Sequence, residues 1–479
     1  MNPFLPKATP PKPARPPALP RPPDSTLATM FPKALAWQRG ACHDIVRALT
    51  THGAGINCSD TGLGKTYMTL ASLAHLRMPF AVLCPKVLID DWQRTSAEFG
   101  LKPLFASSYE SALVGSHPYI SRHGDSFVYR NLSPNSVVVF DEAHRGKSPT
   151  GVTSRLIMAS RLGGGGRTGA LLLSATLAES PLDLKAVGSL LGLYKGGKEG
   201  FLNWVGRYGV SFSGFNNALE FTGGENGLKM LHKDLFPRFG TRLRWSDSPD
   251  FPQTVISPVL VDLENLPAVT DAYKALAEVE LQAIQESLDH EDEVGAPLIT
   301  ELLRFRQLAE IGKLPAMSAM ADEALAEGAS VAVFLNFKAS IKLYQALRVQ
   351  ATGKEPPPVI CGETKPEDRT WDVQMFRDNS LRELILQVQA GGAGISLHDT
   401  VSKVTRVSLI SPNYNARDFM QIKGRVHRQG GGFSVQKLVF AKGTIEEAVY
   451  AAVKRKSFNI ETLNDGDFRA GLFDTEPSL

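Results

Sequence analysis

A short glycine-rich stretch, residues 59–66, lies between an apolar turn and the amphipathic stretch 67–76. Gly62 and Gly64 allow backbone N–H groups to approach a phosphate chain closely, and a helix that begins there adds its N-terminal dipole. The Lys65 ammonium can then reach the β and γ phosphates, and a threonine hydroxyl at the next position can hold Mg²⁺. The strict pattern has glycine at position 59, where this chain has a small serine. The stretch predicts a phosphate loop, the alternative being a glycine-rich turn that carries Lys-Thr by chance.

An apolar run, residues 137–140, ends in two carboxylates, Asp141 and Glu142, followed two positions later by His144. Ligands of open parallel sheets bind at the carboxyl ends of the strands. We therefore expect Asp141 to hold Mg²⁺ together with Thr66, and Glu142 to orient and deprotonate an attacking water. His144 would link this site to the rest of the chain. The alternative is a solvated strand end with ordinary charges.

Short apolar runs alternate with longer amphipathic stretches in two parts of the chain, separated by a part rich in Ala, Leu, Glu and Gln. This rhythm predicts an α/β fold with two parallel-sheet domains in tandem and a mostly helical connecting region. The predicted parts are a Pro-rich disordered tail, a first domain, a helical linker and a second domain, covering residues 1–30, 31–250, 251–328 and 329–479.

The first 23 residues contain ten prolines with interspersed Lys and Arg, a composition that cannot bury a core. We expect either a solvated tail or a basic tether for nucleic acid or a protein partner. The formal net charge of the 479-residue chain is only +3, so any basic surface must be local. Charge runs such as Arg238, Arg242 and Arg244 are expected to be solvated faces.

The four cysteines form no CxxC pair and no metal-ligand cluster, so inert thiols in a reducing compartment are expected. No apolar run approaches the roughly 20 residues that span a bilayer, and the N-terminus lacks the apolar core of a signal peptide. The chain is therefore expected to be soluble and intracellular: cytoplasmic if it is bacterial or from a phage, with the nucleus as the alternative if it is eukaryotic.

The two motifs together resemble those of superfamily-two helicases, and within them the Swi/Snf-like branch, in which residues 141–144 stand at the DEAH box. This resemblance implies two RecA-like domains that bind ATP with Mg²⁺ and hydrolyse it. It implies ATP binding by Asp60, Thr61, Leu63 and the neighbouring loop residues already named. Gln38 is similar to the glutamine that reads adenine in this family.

Further motifs follow in the family's order. The resemblance implies nucleic-acid contacts, or support of those contacts, from Lys86, Thr176, Asn336 and Gln389. It implies coupling between ATP and nucleic acid through His144, Ser174, Thr176 and Gln421, and a second-domain contribution to ATP binding from Gly394. Contacts to the sugar-phosphate backbone carry no sequence information, so binding should be independent of sequence and sensitive to salt.

Residues 421–429 are similar to motif six, which supplies arginines to the γ phosphoryl group. Charge builds on that group during hydrolysis, and an arginine from a second domain stabilises it by roughly 10³–10⁵ in rate in well-studied cases. Arg425 and Arg428 are three residues apart and share a helix face. Arg428 is the first choice for the finger and Arg425 the second.

Three functions remain open at this point. The first is a translocase on double-stranded DNA, favoured by the Swi/Snf-like form of residues 62–66, 421–429 and 443–447. The second is a helicase that separates strands of DNA or RNA. The third is a non-catalytic scaffold that binds nucleic acid. The phosphate loop lacks the acidic start usual in the branch, and no histone-reader or zinc module is evident, which indicates a minimal motor of bacterial, phage or other viral type.

Overall fold

The computed structural model describes residues 21–466, apart from residues 115, 134, 149, 163–167, 214–217, 264–295, 389–394 and 414. Most of the expected Pro-rich tail, residues 1–20, lies outside the described residues. The expected disorder up to residue 30 is wrong for its last part, because residues 24–30 form a helix whose Leu27 is buried in the first domain. The buried Leu27 packs this part of the segment against the first domain.

The first half of the chain alternates helices with short strands. Its elements are α1 (Asp24–Met30), α2 (Ala36–His52), β1 (Ala54–Asn57), α3 (Lys65–Leu76), β2 (Phe80–Cys84), α4 (Ile89–Glu98), β3 (Ala106–Ser108), α5 (Tyr109–Val114), β4 (Ser116–His117), β5 (Ile120–His123), β6 (Ser126–Tyr129), β7 (Val137–Asp141), α6 (Val152–Ala159), β8 (Gly169–Leu173), α7 (Lys185–Leu190), α8 (Gly197–Gly206), β9 (Val210–Phe212), β10 (Leu219–Phe221), α9 (Gly224–Leu235) and β11 (Gly240–Thr241).

The second half repeats the alternation around a second sheet. Its elements are β12 (Thr254–Val261), α10 (Ala296–Ala326), β13 (Ser330–Leu335), α11 (Lys338–Thr352), β14 (Val359–Ile360), α12 (Pro366–Arg377), β15 (Glu383–Gln387), β16 (Arg406–Ile410), α13 (Ala416–Val426), β17 (Ser434–Ala441) and α14 (Glu446–Asp465).

A six-stranded sheet forms the centre of the first domain, in the order β11-β1-β8-β7-β2-β3, and every pair of neighbours is parallel. Helices cover both faces, so its strands are apolar at successive positions and not only at alternate ones. In β7, Val138 and Phe140 pack into one core while Val137 and Val139 pack into the other. Two antiparallel additions, β4-β5-β6 and β9-β10, lie outside this sheet.

The second domain has a six-stranded sheet of its own, in the order β12-β17-β16-β13-β15-β14, again with parallel neighbours. The two sheets confirm the predicted α/β architecture of tandem RecA-like domains. The described segments 254–261 and 296–326 of the expected linker pack with the second domain, however. Thr254–Val261 pair with Ser434–Ala441 along their whole length, and α10 packs through Leu314 and Met317 on the second sheet.

The order of the strands decides where the predicted motifs meet. β8 lies between β1 and β7, so three loops emerge side by side at the carboxyl edge of the first sheet. These loops begin at residues 58, 142 and 174 and carry the phosphate loop, the acidic pair and the expected coupling motif. Among the described residues, no helix combines the length and apolar character needed to cross a membrane.

Candidate functional site

The phosphate loop connects β1 to the first residue of α3. Gly62 and Gly64 have φ of 80° and 76°, a left-handed backbone that favours glycine and turns the loop toward the helix N-terminus. The Lys65 ammonium donates to the carbonyl oxygens of Ser59, at 3.1 Å, and Asp60, at 3.3 Å. Burial lowers the pKa of Lys65, against the opposing charges of Glu142 and Asp141. An anion in the loop would therefore stabilise the charged ammonium.

Gln38 on α2 is buried against the phosphate loop. Its Nε2 donates to the Leu63 carbonyl oxygen at 2.9 Å, and its Oε1 accepts from the Leu35 N–H at 3.1 Å. A Cβ atom at position 64 would lie 2.8 Å from Gln38 Nε2, so the glycine there allows this approach. The side chain thus supports the loop, and its expected reading of adenine stays a prediction.

Asp141 ends β7 and is almost completely buried. Its Oδ2 accepts from the indole N–H of Trp92 at 2.9 Å, and its Oδ1 accepts from the Glu142 N–H at 3.0 Å. The Tyr109 hydroxyl donates to the Asp141 carbonyl oxygen at 2.8 Å. Burial, together with the neighbouring Glu142 charge, raises the pKa of Asp141 to about 6. These donors orient the carboxylate and leave each oxygen a lone pair for a cation.

Glu142 and His144 form a polar chain that leads to the loop after β8. His144 Nδ1 lies 3.3 Å from Glu142 Oε2 and 3.2 Å from Ser174 Oγ, while Ser174 Oγ accepts from the Thr176 N–H at 3.2 Å. Burial opposes the charge on Glu142, but the His144 hydrogen bond and the neighbouring positive charges, including those of Lys65 and Arg425, together outweigh it and lower the pKa of Glu142. The structure therefore brings together the acidic pair, His144 and Ser174, as the coupling hypothesis requires.

Arg425 lies in the last turn of α13, whereas Arg428 lies two residues after the helix ends and against the phosphate loop, so the two arginines do not share one helix face as expected. A Cβ atom at Gly62 would lie 3.2 Å from Arg428 Cγ, so the phosphate loop and the segment that carries Arg428 are in contact. Arg425 Nη1 donates to the Ile395 carbonyl oxygen at 3.1 Å, and Arg428 Nε donates to that of Gly424 at 2.9 Å. Over the described part of the chain, neither guanidinium has a carboxylate within ion-pair distance. Burial, with the adjacent Arg428 charge, lowers the pKa of Arg425 to about 9.

The residues expected to contact nucleic acid have different environments. Lys86 is exposed just after β2. Thr176 is 2% exposed and faces the interior. Asn336 Nδ2 donates to Glu310 Oε2 at 2.7 Å and to the Ser411 carbonyl oxygen at 3.0 Å. Both N–H bonds of Asn336 are thus used internally, which leaves it a supporting role at the end of β13.

Three further predicted residues add little to the geometry. Gln421 is half-buried on α13, and Gln389 and Gly394 lie outside the described residues.

The expected solvated face at Arg242 and Arg244 is wrong. Arg242 is 9% exposed in its side chain and ion-pairs with Asp60 and Asp465, at 2.7 Å each. No local pattern marks this contact, because its partners lie about two hundred residues away along the chain.

Comparisons with known proteins agree with this geometry. Residues 314–430 match the family described as the helicase conserved C-terminal domain. A protein of Acanthamoeba polyphaga mimivirus, named as an ATP-dependent RNA helicase, is 25% identical over 475 residues, which cover 93% of this chain and 85% of that protein.

A solved structure, the Sulfolobus solfataricus SWI2/SNF2 ATPase core in complex with dsDNA, matches 90% of this chain and 93% of its own, with 18% identity and a TM-score of 0.33. The resemblance to superfamily-two helicases inferred from the motifs is confirmed by the domain match and the long mimiviral alignment. The chain contains a helicase C-terminal domain, resembles superfamily-two helicases along most of its length and is a nucleic-acid-dependent ATPase.

Proposed function

We propose that the chain is a Swi/Snf-type translocase that uses ATP hydrolysis between its two domains to move along duplex DNA. The observation that carries the motor is the pair formed by Arg425, buried on α13, and Arg428, half-buried just after that helix and against the phosphate loop. Neither guanidinium has a carboxylate partner among the described residues. Two neighbouring cations without a counter-charge favour an anion beside them. A γ-phosphate in the loop would supply that anion.

ATP binding would use groups already positioned by the first domain. The phosphate chain would replace the carbonyl oxygens of Ser59 and Asp60 as hydrogen-bond partner of Lys65. The loop N–H groups would bind the phosphates. Thr66 and Asp141 fit Mg²⁺, which prefers oxygen ligands and binds proteins through one or two carboxylates together with substrate phosphates. When bound, Mg²⁺ would neutralise charge on the β and γ phosphates.

Hydrolysis would use Glu142 as the base, since its pKa is lowered and it is ionised at neutral pH. A water placed between this carboxylate and the γ phosphorus would lose its proton to Glu142 as it attacks. Arg428, and Arg425 behind it, would stabilise the charge that develops on the phosphoryl oxygens. The two domains must be closed for this arrangement, so hydrolysis and opening of the cleft are linked.

Movement along nucleic acid would follow from repeated closing and opening of the cleft. The chain Glu142–His144–Ser174 offers a path from the acidic pair to the loop after β8. Lys86 would contact the phosphate backbone, with Asn336 holding the end of β13 in place. Duplex DNA is favoured by the Swi/Snf-like form of residues 62–66 and 421–429.

A strand-separating RNA helicase is the second candidate, because the mimiviral relative is named as one. The first domain also contains the antiparallel hairpin β5-β6, which packs on the core through Ile120 and Tyr129 and has His123 and Gly124 exposed at its tip. A hairpin of this kind is the shape that a strand-separating pin has.

The steady-state ATPase rate, measured alone and with duplex DNA, single-stranded DNA or RNA, tests the proposal. We expect duplex DNA to stimulate the ATPase rate of the wild-type chain strongly. The Glu142→Gln variant should show no stimulated turnover. Stimulation only by single strands or RNA would replace the translocase with the helicase. No turnover with any nucleic acid, from a protein that still binds nucleic acid, would contradict both and leave the non-catalytic scaffold.

A further inference from the structure

The chain passes from the first sheet to the second through residues 242–252, which we call the crossover segment. It begins directly after β11, the edge strand beside β1, and ends before β12, the edge strand of the second sheet. A covalent connection of this kind needs only to span the gap. This one also binds both sides of the nucleotide cleft through its side chains.

On the first-domain side, the crossover segment is bonded to the phosphate loop. Arg242 Nη1 donates to the Cys58 carbonyl oxygen at 2.8 Å and to Asp60 Oδ1 at 2.7 Å. The Trp245 N–H donates to Asp60 Oδ2 at 3.1 Å, and its indole Nε1–H donates to the Thr61 carbonyl oxygen at 2.8 Å. Any shift of the loop that accompanies phosphate binding must therefore change these bonds or move the crossover segment with it.

On the second-domain side, the Trp245 ring packs against motif six. The Lys423 ammonium lies 4.2 Å from the centre of one Trp245 ring, and the His427 ring meets it edge-on at 4.6 Å. His427 Nε2 donates to the Pro252 carbonyl oxygen at 2.7 Å, and Ser248 Oγ donates to Gln429 Oε1 at 2.9 Å. The same short segment thus contacts α13 just beside Arg425 and Arg428.

The end of α14 closes the arrangement. Asp465 accepts from Arg242 Nε at 2.7 Å and from Arg244 Nε at 2.9 Å, and its side chain is 11% exposed. Burial opposes the charge on Arg242, but Asp60 and Asp465 outweigh it and raise its pKa. The preceding residue, Asn464, donates from Nδ2 to the Ala175 carbonyl oxygen at 2.8 Å, within the expected coupling motif. A second-domain carboxylate therefore shares one guanidinium with the phosphate loop.

We infer that Trp245 and Asp465 are positioning residues that couple occupancy of the phosphate loop to closure of the second domain. Neither is placed to touch the reacting atoms. Trp245 acts through the Thr61 carbonyl and the face of α13, and Asp465 acts through Arg242. The inference rests on the proposed ATP-driven motor and assigns the part of that motor that transmits closure.

The test separates binding of ATP from its turnover. Trp245→Phe keeps a ring against Lys423 and His427 but removes the indole donor, and a neutral hydrogen bond is worth a factor of roughly 2–10. Asp465→Asn removes the shared charge, whose loss from a buried pair costs at least about tenfold. Both should raise KM for ATP by these factors and leave kcat within about twofold, because saturating ATP restores closure and Glu142 is untouched.

Calorimetry of the binding of a non-hydrolysable ATP analogue to the full chain gives a readout that does not need turnover. The dissociation constant of the analogue should rise in both variants by the same factors as KM. Asp465→Glu should recover part of the loss, and Asp262→Asn, an exposed second-domain carboxylate far from the loop in sequence, should change nothing.

The outcomes are distinguishable. A wild-type ATPase that nucleic acid stimulates, with KM and analogue affinity unchanged in both variants, overturns the inference and leaves the proposed function standing. An equal loss of ATPase activity in Asp465→Asn and Asp465→Glu, with unchanged affinity for the analogue, also overturns the inference. A wild-type chain without stimulated turnover overturns the proposed function, while weaker analogue binding in the variants would still support the coupling between loop and crossover segment.

Discussion

Glu142 has φ of 54°, a left-handed backbone that costs a residue with a Cβ atom about 1–2 kcal/mol. Such strain persists where the surroundings over-determine the conformation, which is common at functional sites. Here the Glu142 N–H is held by Asp141 Oδ1, and its carboxylate lies against His144. The left-handed residue turns the chain at the end of β7 and directs the carboxylate into the cleft.

Two substitutions should divide nucleotide binding from turnover. Lys65→Ala removes the phosphate-loop cation, so we expect weaker binding of a non-hydrolysable ATP analogue together with loss of turnover. Glu142→Gln keeps the side-chain shape but removes the base, so we expect binding to remain while turnover falls by at least about 10². Calorimetry and steady-state ATPase assays check the two effects. Unchanged circular dichroism spectra establish that both variants are folded, and wild-type turnover in either would contradict its assigned role.

The raised pKa of Asp141 predicts a pH-dependent stability difference. A carboxyl group with a folded-state pKa of about 6 stabilises the fold most when it is protonated, and this contribution is lost as pH rises through 6. Asp141→Asn cannot ionise. Its stability relative to wild type should therefore rise between pH 4.5 and pH 7.5, by at most about 3 kcal/mol.

Thermal melting of the metal-free proteins across that pH range measures the difference. Asp262→Asn, which removes an exposed carboxylate, is the matched control. MgCl₂ with ATP should stabilise the wild-type chain at pH 7.5 more than it stabilises Asp141→Asn, which lacks the carboxylate expected to hold Mg²⁺. A pH-independent difference between Asp141→Asn and wild type would show that burial does not disfavour the charge.

Local motifs predicted which residues meet at the cleft, because short loops at neighbouring strand ends converge wherever the sheet is parallel. They did not predict which hydrogen bonds and ion pairs these side chains make. Asn336 was expected to contact nucleic acid or to support such contacts, and Glu310 and Ser411 take both of its N–H bonds, which leaves it the supporting role. Arg242 was expected in a solvated run, yet it joins Asp60 to Asp465. Partners so distant in sequence leave no local signal.

At the scale of elements, α13 approaches the phosphate loop closely because it has no side chain at position 424. A Cβ atom there would lie 2.1 Å from Thr61 Oγ1 and 2.5 Å from Thr61 Cβ. Gly424→Ala should hold the two domains apart and lower kcat/KM for ATP at least about tenfold, since misplacement by about 1 Å costs up to 10² in rate. Steady-state ATPase assays measure this loss.

A matched glycine and a compensating change test the steric cause. Gly206→Ala, at a helical position with open space around it, should leave ATPase activity unchanged. Adding Thr61→Gly to Gly424→Ala removes both clashing atoms and should recover activity. Failure of the double variant to exceed Gly424→Ala would mean that close approach of α13 is not what the glycine provides.

Element type was more predictable than domain membership. The apolar runs near residues 81, 137, 331 and 406 became strands, because fully buried parallel strands have continuous apolar sequences. β12 was missed as part of the second sheet. Its residues precede a long helical stretch, and its partner β17 lies about 180 residues later. The sequence of an edge strand that pairs at such a separation does not indicate which sheet the strand joins.

At the scale of the whole molecule, the described residues of the two domains meet at three places near the phosphate loop. α13 lies on the phosphate loop, the crossover segment touches both domains, and the end of α14 returns to the first domain through Asn464 and Asp465. Contacts this close to the phosphate loop mean that opening the cleft must break several of them together. A cooperative opening gives the chain two discrete states, as a stepping motor needs.

A motor with two such states that tracks duplex DNA should displace obstacles from the duplex without separating its strands. We expect ATP-dependent removal of a third strand from triplex DNA by the wild-type chain, none by Glu142→Gln, and no separation of a forked duplex of the same sequence. Gel assays with labelled strands measure both reactions. Because contacts to the phosphate backbone release counterions, triplex displacement should fall steeply between 50 and 200 mM salt, regardless of sequence. ATP-dependent separation of the fork, with the triplex left intact, would instead identify a strand-separating helicase and give the β5-β6 hairpin a role as its pin.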